Sequence, residues 1–253
     1  MGRLTRVAVA VTAIAVTGGL VACGSSEPES GSASGTGSTS APSDLGPVVT
    51  APAQPATGPI TDPAALRAAL LTAPDLPVGF VALPAAANPD DPADEAPAQP
   101  ATNPTRCANV LDTIARQARG AAADAESNFS GPGFTSIDVD AASFPGTGAA
   151  EAFSTVQTTM RACTAYTGTD SEGVAVDYRV EPLAMPAVGD ASTAIRLVTT
   201  SDGFSLVSDA VVAVVDSTVV QVVATGPDPI DGGVLDGLAR AATQRIHAAA
   251  PTG

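Results

Sequence analysis

The sequence predicts a single α+β domain, an antiparallel sheet with helices packed on it, behind a disordered stalk. The main observation is a run of alternating and β-branched segments from residue 174 to residue 225, with no helical pattern between them. Neighbouring strands without crossover helices favour antiparallel pairing. Segments with helical spacing stand before and after this run, and a chain of 253 residues is long enough for one hydrophobic core.

Residues 1–22 predict a lipoprotein signal peptide. Arg3 and Arg6 form a short positive region, which an apolar segment follows. A helix over residues 7–22 would be about 24 Å long, too short for a hydrocarbon core of about 30 Å. Its ending, Leu-Val-Ala-Cys at residues 20–23, resembles the bacterial lipobox, which implies cleavage before Cys23 and diacylation of its sulfur. The alternative is an ordinary signal peptide with an incidental cysteine.

Residues 23–59 predict a disordered stalk that begins at the lipidated Cys23. This stretch is rich in Ser, Gly, Pro and Ala and has no hydrophobic period. Its apolar content is too small to offset the entropy cost of ordering the chain. A flexible coil of this length spans roughly 35 Å, enough to hold a domain clear of a lipid surface.

The predicted domain covers residues 60–250 and begins with a helix. Asp62 suits the N-cap position and Pro63 the first turn, while Leu66 and Leu70 fall on one face. Pro74 ends this helix, and an extended segment follows it.

Residues 84–105 predict a loop rich in Pro and acidic residues. Four carboxylates cluster in this loop, at Asp90, Asp91, Asp94 and Glu95. A calcium site would use such carboxylates, but it would also need fixed spacing and a sharp Gly turn. The loop has no Gly and many Pro, so we expect it to be solvated.

Two further helices carry the remaining cysteines. Cys107 begins a helical stripe that includes Ile114 and Ala118, and Cys163 shares the apolar face of a helix over residues 149–166. Secretion permits disulfides, and with Cys23 lipidated these two cysteines allow one intramolecular pairing. The alternatives are two free buried thiols or a redox pair, although redox pairs usually have close C-x-x-C spacing.

The strand patterns lie mainly in the second half of the chain. One strand is predicted around residues 134–139, a second at 174–181 and a third at 195–200. Residues 206–225 predict a hairpin that turns at Asp216-Ser217. Both hairpin strands are apolar on both faces, which predicts a central place in the sheet. The last helix is predicted at residues 233–249.

The charge of the chain argues against two classes of partner. The formal net charge is −15, and all eleven basic residues are Arg. Nucleic-acid binding needs a basic stripe, which the sequence lacks. Electrostatic attachment to anionic lipid headgroups is disfavoured for the same reason. We therefore expect no nucleic-acid partner.

No motif in the sequence predicts catalysis. His247, the one histidine, is predicted to be a surface residue near the end of the last helix. A zinc site therefore lacks ligands, and a Ser-His-Asp site lacks its histidine base. Nucleotide-binding glycine loops are absent, and no cofactor is predicted. Paired carboxylates carry out glycoside hydrolysis, for which Asp138 with Asp140 and Asp202 with Asp209 are the candidates.

Several features together resemble a known family. They are the lipobox, the stretch Leu-Leu-Thr-Ala-Pro-Asp-Leu-Pro-Val-Gly-Phe at residues 70–80, the two helix cysteines, residues 180–190 and the Val-rich hairpin before the last helix. Over residues 64–248 the chain resembles actinobacterial envelope lipoproteins related to the extracellular sensor domain of PknH-type receptor kinases. The resemblance implies helices against a sheet and a cleft for an unidentified ligand. The kinase sensor domains carry two disulfides, whereas this chain can form one. The resemblance assigns no ligand-binding residue of that family to a position in this sequence.

These observations predict an extracytoplasmic lipoprotein, anchored to the cell membrane through Cys23, with a non-catalytic ligand-binding or sensor-like domain. Its expected partners are the membrane and a small-molecule, lipid or glycan ligand. One alternative is a lipid or glycolipid carrier or envelope assembly chaperone, because the doubly apolar hairpin could line a cavity. Another alternative is an envelope hydrolase.

Overall fold

Nine strands and four α-helices form the part of the chain that the computed structural model describes, residues 44–84 and 101–251. The helices are α1 (Pro63–Ala68), α2 (Ile114–Gln117), α3 (Gly148–Ala162) and α4 (Gly232–Ala249). The strands are β1 (Val81–Ala82), β2 (Ala101–Asn103), β3 (Ala123–Ser130), β4 (Ser136–Ser143), β5 (Ala165–Thr169), β6 (Ala175–Pro182), β7 (Ala191–Ser201), β8 (Phe204–Val215) and β9 (Thr218–Gly226). None of the helices in this described part has the length and hydropathy to cross a bilayer.

The strands form one sheet in the order β1-β3-β4-β9-β8-β7-β6-β5-β2, and every neighbouring pair is antiparallel. The α+β fold predicted from the sequence is therefore confirmed. The β8–β9 hairpin turns at Asp216-Ser217, where the sequence predicts the turn, because Val215 pairs with Thr218. This hairpin lies near the middle of the sheet.

Helices cover both faces of the central hairpin, which explains its apolar composition. Ala210, Val212 and Val214 of β8 pack in a core cluster with α3, here named the α3 face. The alternate residues of β8 pack with α1 and α4 on the opposite, α4 face. Each fully buried Val or Leu side chain stabilises the fold by about 1.5–3 kcal/mol relative to exposure.

The two long helices have the buried stripes that their spacing predicts. Phe153, Val156 and Met160 of α3 are buried, as are Leu235 and Ile246 of α4. Helix α4 begins where Asp231 accepts hydrogen bonds from the backbone N–H groups of its first turn.

The predicted helix after Cys107 is wrong. The chain forms a 3-10 turn over Thr105–Asn109, and only the short helix α2 follows it. Between them Leu111 has a φ of +60°, a left-handed conformation that no α-helix contains. The apolar spacing arises because both short segments turn the same side towards α3, so Cys107 and Ile114 are still buried.

One predicted strand differs from the structure, and strands β3 and β5 were not predicted. Strand β5 lies where the sequence extends the helix over residues 149–166, because α3 ends at Ala162. The strand expected from residue 134 begins at Ser136, because Phe134 lies in the preceding turn with a φ of +62°. Strand β3 was missed, since its sequence Ala-Asp-Ala-Glu-Ser-Asn-Phe-Ser has few β-branched residues.

Residues 44–59, which the sequence assigns to the stalk, lie against the domain. Val49 exchanges two hydrogen bonds with the side chain of Gln157, and Ser217 Oγ donates to the Thr57 carbonyl at 2.6 Å. Ala51 is buried. The partners stand more than a hundred positions away, so local composition gives no sign of these contacts.

Other predictions fall partly outside the described residues. Within the predicted loop at 84–105, residues 101–103 form β2, which pairs with β5. The acidic cluster at residues 90–95, the signal peptide and Cys23 lie outside the described residues.

Candidate functional site

A cleft of about 270 Å³ opens on the α3 face of the sheet. Its floor comes from five adjacent strands, β3, β4, β9, β8 and β7, and its wall from the segment that leads into α2. The lining residues are Leu111, Thr113, Glu126, Asn128, Asp138, Val139, Asp140, Leu197, Ser208, Gln221, Val223 and Thr225. No Arg or His is among them.

Strand register brings the carboxylates of the cleft together. Glu126 of β3 lies directly opposite Asp140 of β4, and Asn128 lies opposite Asp138. Asp138 and Asp140 are two positions apart and therefore point to the same face. Like charges directly opposite each other destabilise a sheet.

Asp140 is the most buried of these acids, with 7% of its surface exposed. Its Oδ1 accepts a hydrogen bond from the backbone N–H of Ile114 at 2.7 Å, and its Oδ2 accepts one from Gln221 Nε2 at 2.9 Å. Burial raises the pKa of Asp140 to about 7 against the effect of these hydrogen bonds, and the charges of Glu126 and Asp112 raise it further. The Ile114 contact ties the start of α2 to the sheet.

Asp138 lies next to Asp140 on the same face. Burial is the main cause that raises the pKa of its carboxyl group, and Glu126 adds to the rise. Ser136 Oγ donates to Asp138 Oδ2 at 2.9 Å and opposes this rise.

Gln221 contributes an acceptor without a partner. It lies in the middle of β9 with 1% of its surface exposed, and its Nε2 donates to Asp140 and to the Asp112 carbonyl. Its Oε1 is buried and has no hydrogen-bond partner. An unsatisfied buried acceptor costs about 1–3 kcal/mol, which a ligand that donates a hydrogen bond would recover.

The wall of the cleft is attached to α3 by a disulfide. Cys107 and Cys163 are bonded, with 5.6 Å between their Cα atoms. Cys163 follows the last residue of α3, and Cys107 stands four positions before Leu111. The strained backbone of Leu111 therefore lies between two fixed points, the disulfide and the Ile114–Asp140 hydrogen bond.

The structure separates the other residues that the sequence singles out. Asp202 lies in the turn between β7 and β8, whereas Asp209 is buried and forms an ion pair with Arg196. Seven residues of strand keep these two acids roughly 20 Å apart, too far for the predicted carboxylate pair. His247 is a surface residue in the last turn of α4, as predicted, beside Asp216 and on the opposite face from the cleft.

The pair Asp138 and Asp140 is brought to one site, but sequence reasoning missed Glu126, Asn128 and Gln221. The signal for Gln221 was one polar residue within an apolar run of β-branched residues. Glu126 had no such signal, because β3 itself was not predicted. No group of three or more His, Cys, Asp or Glu side chains within residues 44–84 and 101–251 is placed to hold a metal ion.

Comparison with known proteins agrees with the predicted fold. No protein-family model matches the chain, and no curated protein matches it. The crystal structure of the extracellular domain of PknH from Mycobacterium tuberculosis matches with a TM-score of 0.50 at 15% identity, covering 78% of this chain and 98% of that one. The X-ray structure of an uncharacterized protein (Rv0999 ortholog) from Mycobacterium smegmatis matches with a TM-score of 0.34 at 15% identity, over 72% and 97% of the two chains. This chain is thus similar in fold to the extracellular domain of PknH.

Proposed function

We propose that this protein is an extracytoplasmic lipoprotein, anchored through Cys23, whose domain binds a ligand in the cleft without transforming it. The unpartnered Oε1 of Gln221 at the floor of the cleft carries the proposal. A buried acceptor that lacks a partner, beside carboxylates that repel one another, costs stability. Such a cost is typical of a binding site. The similarity in fold to an extracellular domain supports the location.

The alternatives are less well supported by the same contacts. A glycoside hydrolase needs two carboxyl groups that act on the substrate, but in the pair Asp138 and Asp140 both oxygens of Asp140 accept hydrogen bonds from the protein. The lining of the cleft contains no aromatic side chain for a sugar to stack on. A lipid carrier would need an apolar cavity at the central hairpin. Most apolar residues of β8 and β9 pack in core clusters beneath helices, and the hairpin residues at the cleft floor include the polar Ser208, Gln221 and Thr225.

Ligand binding is tested with the full chain, purified in detergent from the membranes of an actinobacterial host. The probe is a methanol–water extract of the envelope fraction of that host, and the readout is the thermal midpoint. We expect the extract to raise the midpoint of the wild type but not that of Asn128→Trp. Asn128 is exposed at the cleft, so the indole ring blocks the cleft without entering the core.

Thr167→Trp is the matched control, because Thr167 is an exposed strand residue that does not line the cleft. Two outcomes overturn the binding proposal. In the first, the extract stabilises Asn128→Trp as strongly as Thr167→Trp. In the second, it stabilises neither variant and does not stabilise the wild type.

The anchor is tested separately by detergent phase partition. Wild-type protein from the host is expected in the detergent phase, with a mass increase on Cys23, and Cys23→Ala in the aqueous phase. Wild-type protein in the aqueous phase with an unmodified Cys23 overturns the anchor but leaves cleft binding untouched.

A further inference from the structure

Resting on the proposed ligand-binding function, we propose that the cleft binds a small organic cation through a protonated amine or guanidinium group, held by Glu126, Asp138 and the Oε1 of Gln221. The three groups stand on adjacent strands of one face, because Glu126 pairs with Asp140 and Asp140 pairs with Gln221. All three are hydrogen-bond acceptors once the carboxyl groups are ionised.

The charge around the cleft has one sign. Glu126 comes from β3, Asp138 and Asp140 from β4, and Asp112 from the segment before α2. Strands β7, β8 and β9 contribute no charged side chain to the lining. Two positive groups lie near the acids without lining the cleft. Arg116 is 3.6 Å from Asp112 with 56% of its side chain exposed, and Arg67 Nη1 donates to the Glu126 carbonyl oxygen at 3.0 Å. A cation is therefore attracted, and a phosphate or carboxylate is repelled.

The orphan acceptor is an observation independent of the acids. Gln221 uses both hydrogens of its amide on Asp140 and on the Asp112 carbonyl, which fixes the orientation of Oε1. A ligand that satisfies this oxygen must itself donate a hydrogen. Ammonium and guanidinium groups carry several donors and no acceptor, so they match the site better than hydroxyl groups do.

The remaining features favour an organic cation over a metal ion. Among the described residues no set of side chains is arranged to hold a metal. The cleft, at about 270 Å³, exceeds the volume that one ion needs. Leu111, Leu197 and Val223 line it as well, and they provide an apolar surface for the carbon chain that carries the charged group.

Binding would be coupled to ionisation of the cleft. The carboxyl group of Asp140 has a pKa raised to about 7, chiefly by burial, and the charges of Glu126 and Asp112 add to the rise. A bound cation stabilises the carboxylate form of Asp140 and lowers its pKa. Protons are therefore released on binding near neutral pH, and affinity increases as the pH rises from 6 to 8 or so.

The experiment uses the full chain with agmatine, which carries an ammonium and a guanidinium group, and with 1,4-diaminobutane. Neutral 1,4-butanediol and sodium chloride at equal ionic strength are the ligand controls. We expect both amines to raise the thermal midpoint in a saturable manner, whereas the diol and the salt do not. Calorimetry at neutral pH should show a binding heat that depends on the ionisation enthalpy of the buffer.

Asp138→Asn and Glu126→Gln should each weaken amine binding by about tenfold, the loss of one charge-assisted contact. Asp177→Asn is the matched control variant, because it also removes one negative charge. Asp177 is exposed on the face of the sheet opposite the cleft. Amines that act no better than salt, or that bind Asp138→Asn and Asp177→Asn equally, overturn the cation proposal. If the envelope extract still protects the wild type through the cleft, the proposed function stands and only the cationic class is wrong.

Discussion

Asp140 and Gln221 lie directly opposite each other on β4 and β9, and Gln221 Nε2 donates to Asp140 Oδ2 at 2.9 Å. The contact joins a buried acid to a buried amide in the middle of an apolar sheet. It also links the floor of the cleft to its wall, because the second oxygen of Asp140 holds the backbone of Ile114.

The first prediction concerns pH. The pKa of Asp140 is raised from 3.8 to about 7 on folding. Between these two pKa values the unfolded chain loses the proton of Asp140 more readily than the folded chain does. The free energy of unfolding therefore falls as the pH rises from about 4 to about 7, by an amount on the order of 4 kcal/mol, and this effect is constant above that range. Asp140→Asn should remove this part of the pH dependence, measured as the difference in unfolding free energy between pH 4 and pH 8. Asp177→Asn is the control. If the unfolding free energy depends on pH in the same way for the wild type and for Asp140→Asn, the raised pKa of Asp140 is contradicted.

The second prediction concerns the ion pair between Arg196 and Asp209. Arg196 Nε and its terminal NH₂ donate to the two oxygens of Asp209 at 2.6 and 2.9 Å, and Asp209 is 1% exposed. Arg196→Met leaves a buried carboxylate without its partner, so we expect a loss of about 3 kcal/mol in urea unfolding. Arg240→Met removes an exposed pair with Asp236 and should leave the midpoint unchanged. If both variants lower the unfolding free energy equally, the buried pair contributes no more to stability than the exposed pair, and the prediction is wrong.

The third prediction concerns Gly189. Its φ is +62°, and a Cβ atom there would stand 2.4 Å from the Val214 carbonyl oxygen. Gly189→Ala should therefore destabilise the domain by at least about 3 kcal/mol, since strain and a backbone clash add. Gly203→Ala is the control, because Gly203 has a φ of +83° but open space around it, and about 1 kcal/mol is expected. Thermal unfolding of the two variants distinguishes the clash from the strain.

The fourth prediction concerns the disulfide. The Cys107–Cys163 bond closes a loop with a sequence separation of 56, which corresponds to roughly 4 kcal/mol in the chain-entropy model. Cys107→Ser with Cys163→Ser should lower the urea midpoint accordingly. Dithiothreitol should lower the wild-type midpoint to the same value and leave the double variant unaffected. Because both sulfurs are buried, the reductant is added to the unfolded chain before refolding. A wild-type midpoint that is then unchanged would show that the bond does not stabilise the domain.

Local patterns predicted the elements whose burial follows a regular period. Helix α4 packs through one repeating apolar stripe, and the strands of the β8–β9 hairpin pack through two apolar faces. The bounds of both were predicted within one or two residues. Strand β3 was missed although Ala123, Ala125 and Phe129 alternate with polar residues, because it contains no β-branched residue and its two buried alanines are a weak apolar signal. The segment after Cys107 was mistaken for a helix because a 3-10 turn and a short helix, joined through Leu111, bury residues at similar intervals.

The candidate site was predictable only in part. Asp138 and Asp140 were named as a pair only because acidic residues are plentiful in the chain. Glu126 and Gln221 join them through strand pairing, β3 with β4 and β4 with β9, where the partners are up to 81 positions apart. No local pattern encodes such a pairing. The orphan oxygen of Gln221 depends on where each hydrogen of its amide points, which only the folded chain determines.

The central hairpin has a consequence for how the protein is made. Its valines on the α4 face are covered by α4, a helix of 18 residues that follows the hairpin along the chain. Until that helix has been synthesised, the nascent chain exposes a strip of β-branched residues through which it can associate with another copy. A premature stop shortly before Gly232 would therefore produce a polypeptide that aggregates rather than one that is only slightly destabilised.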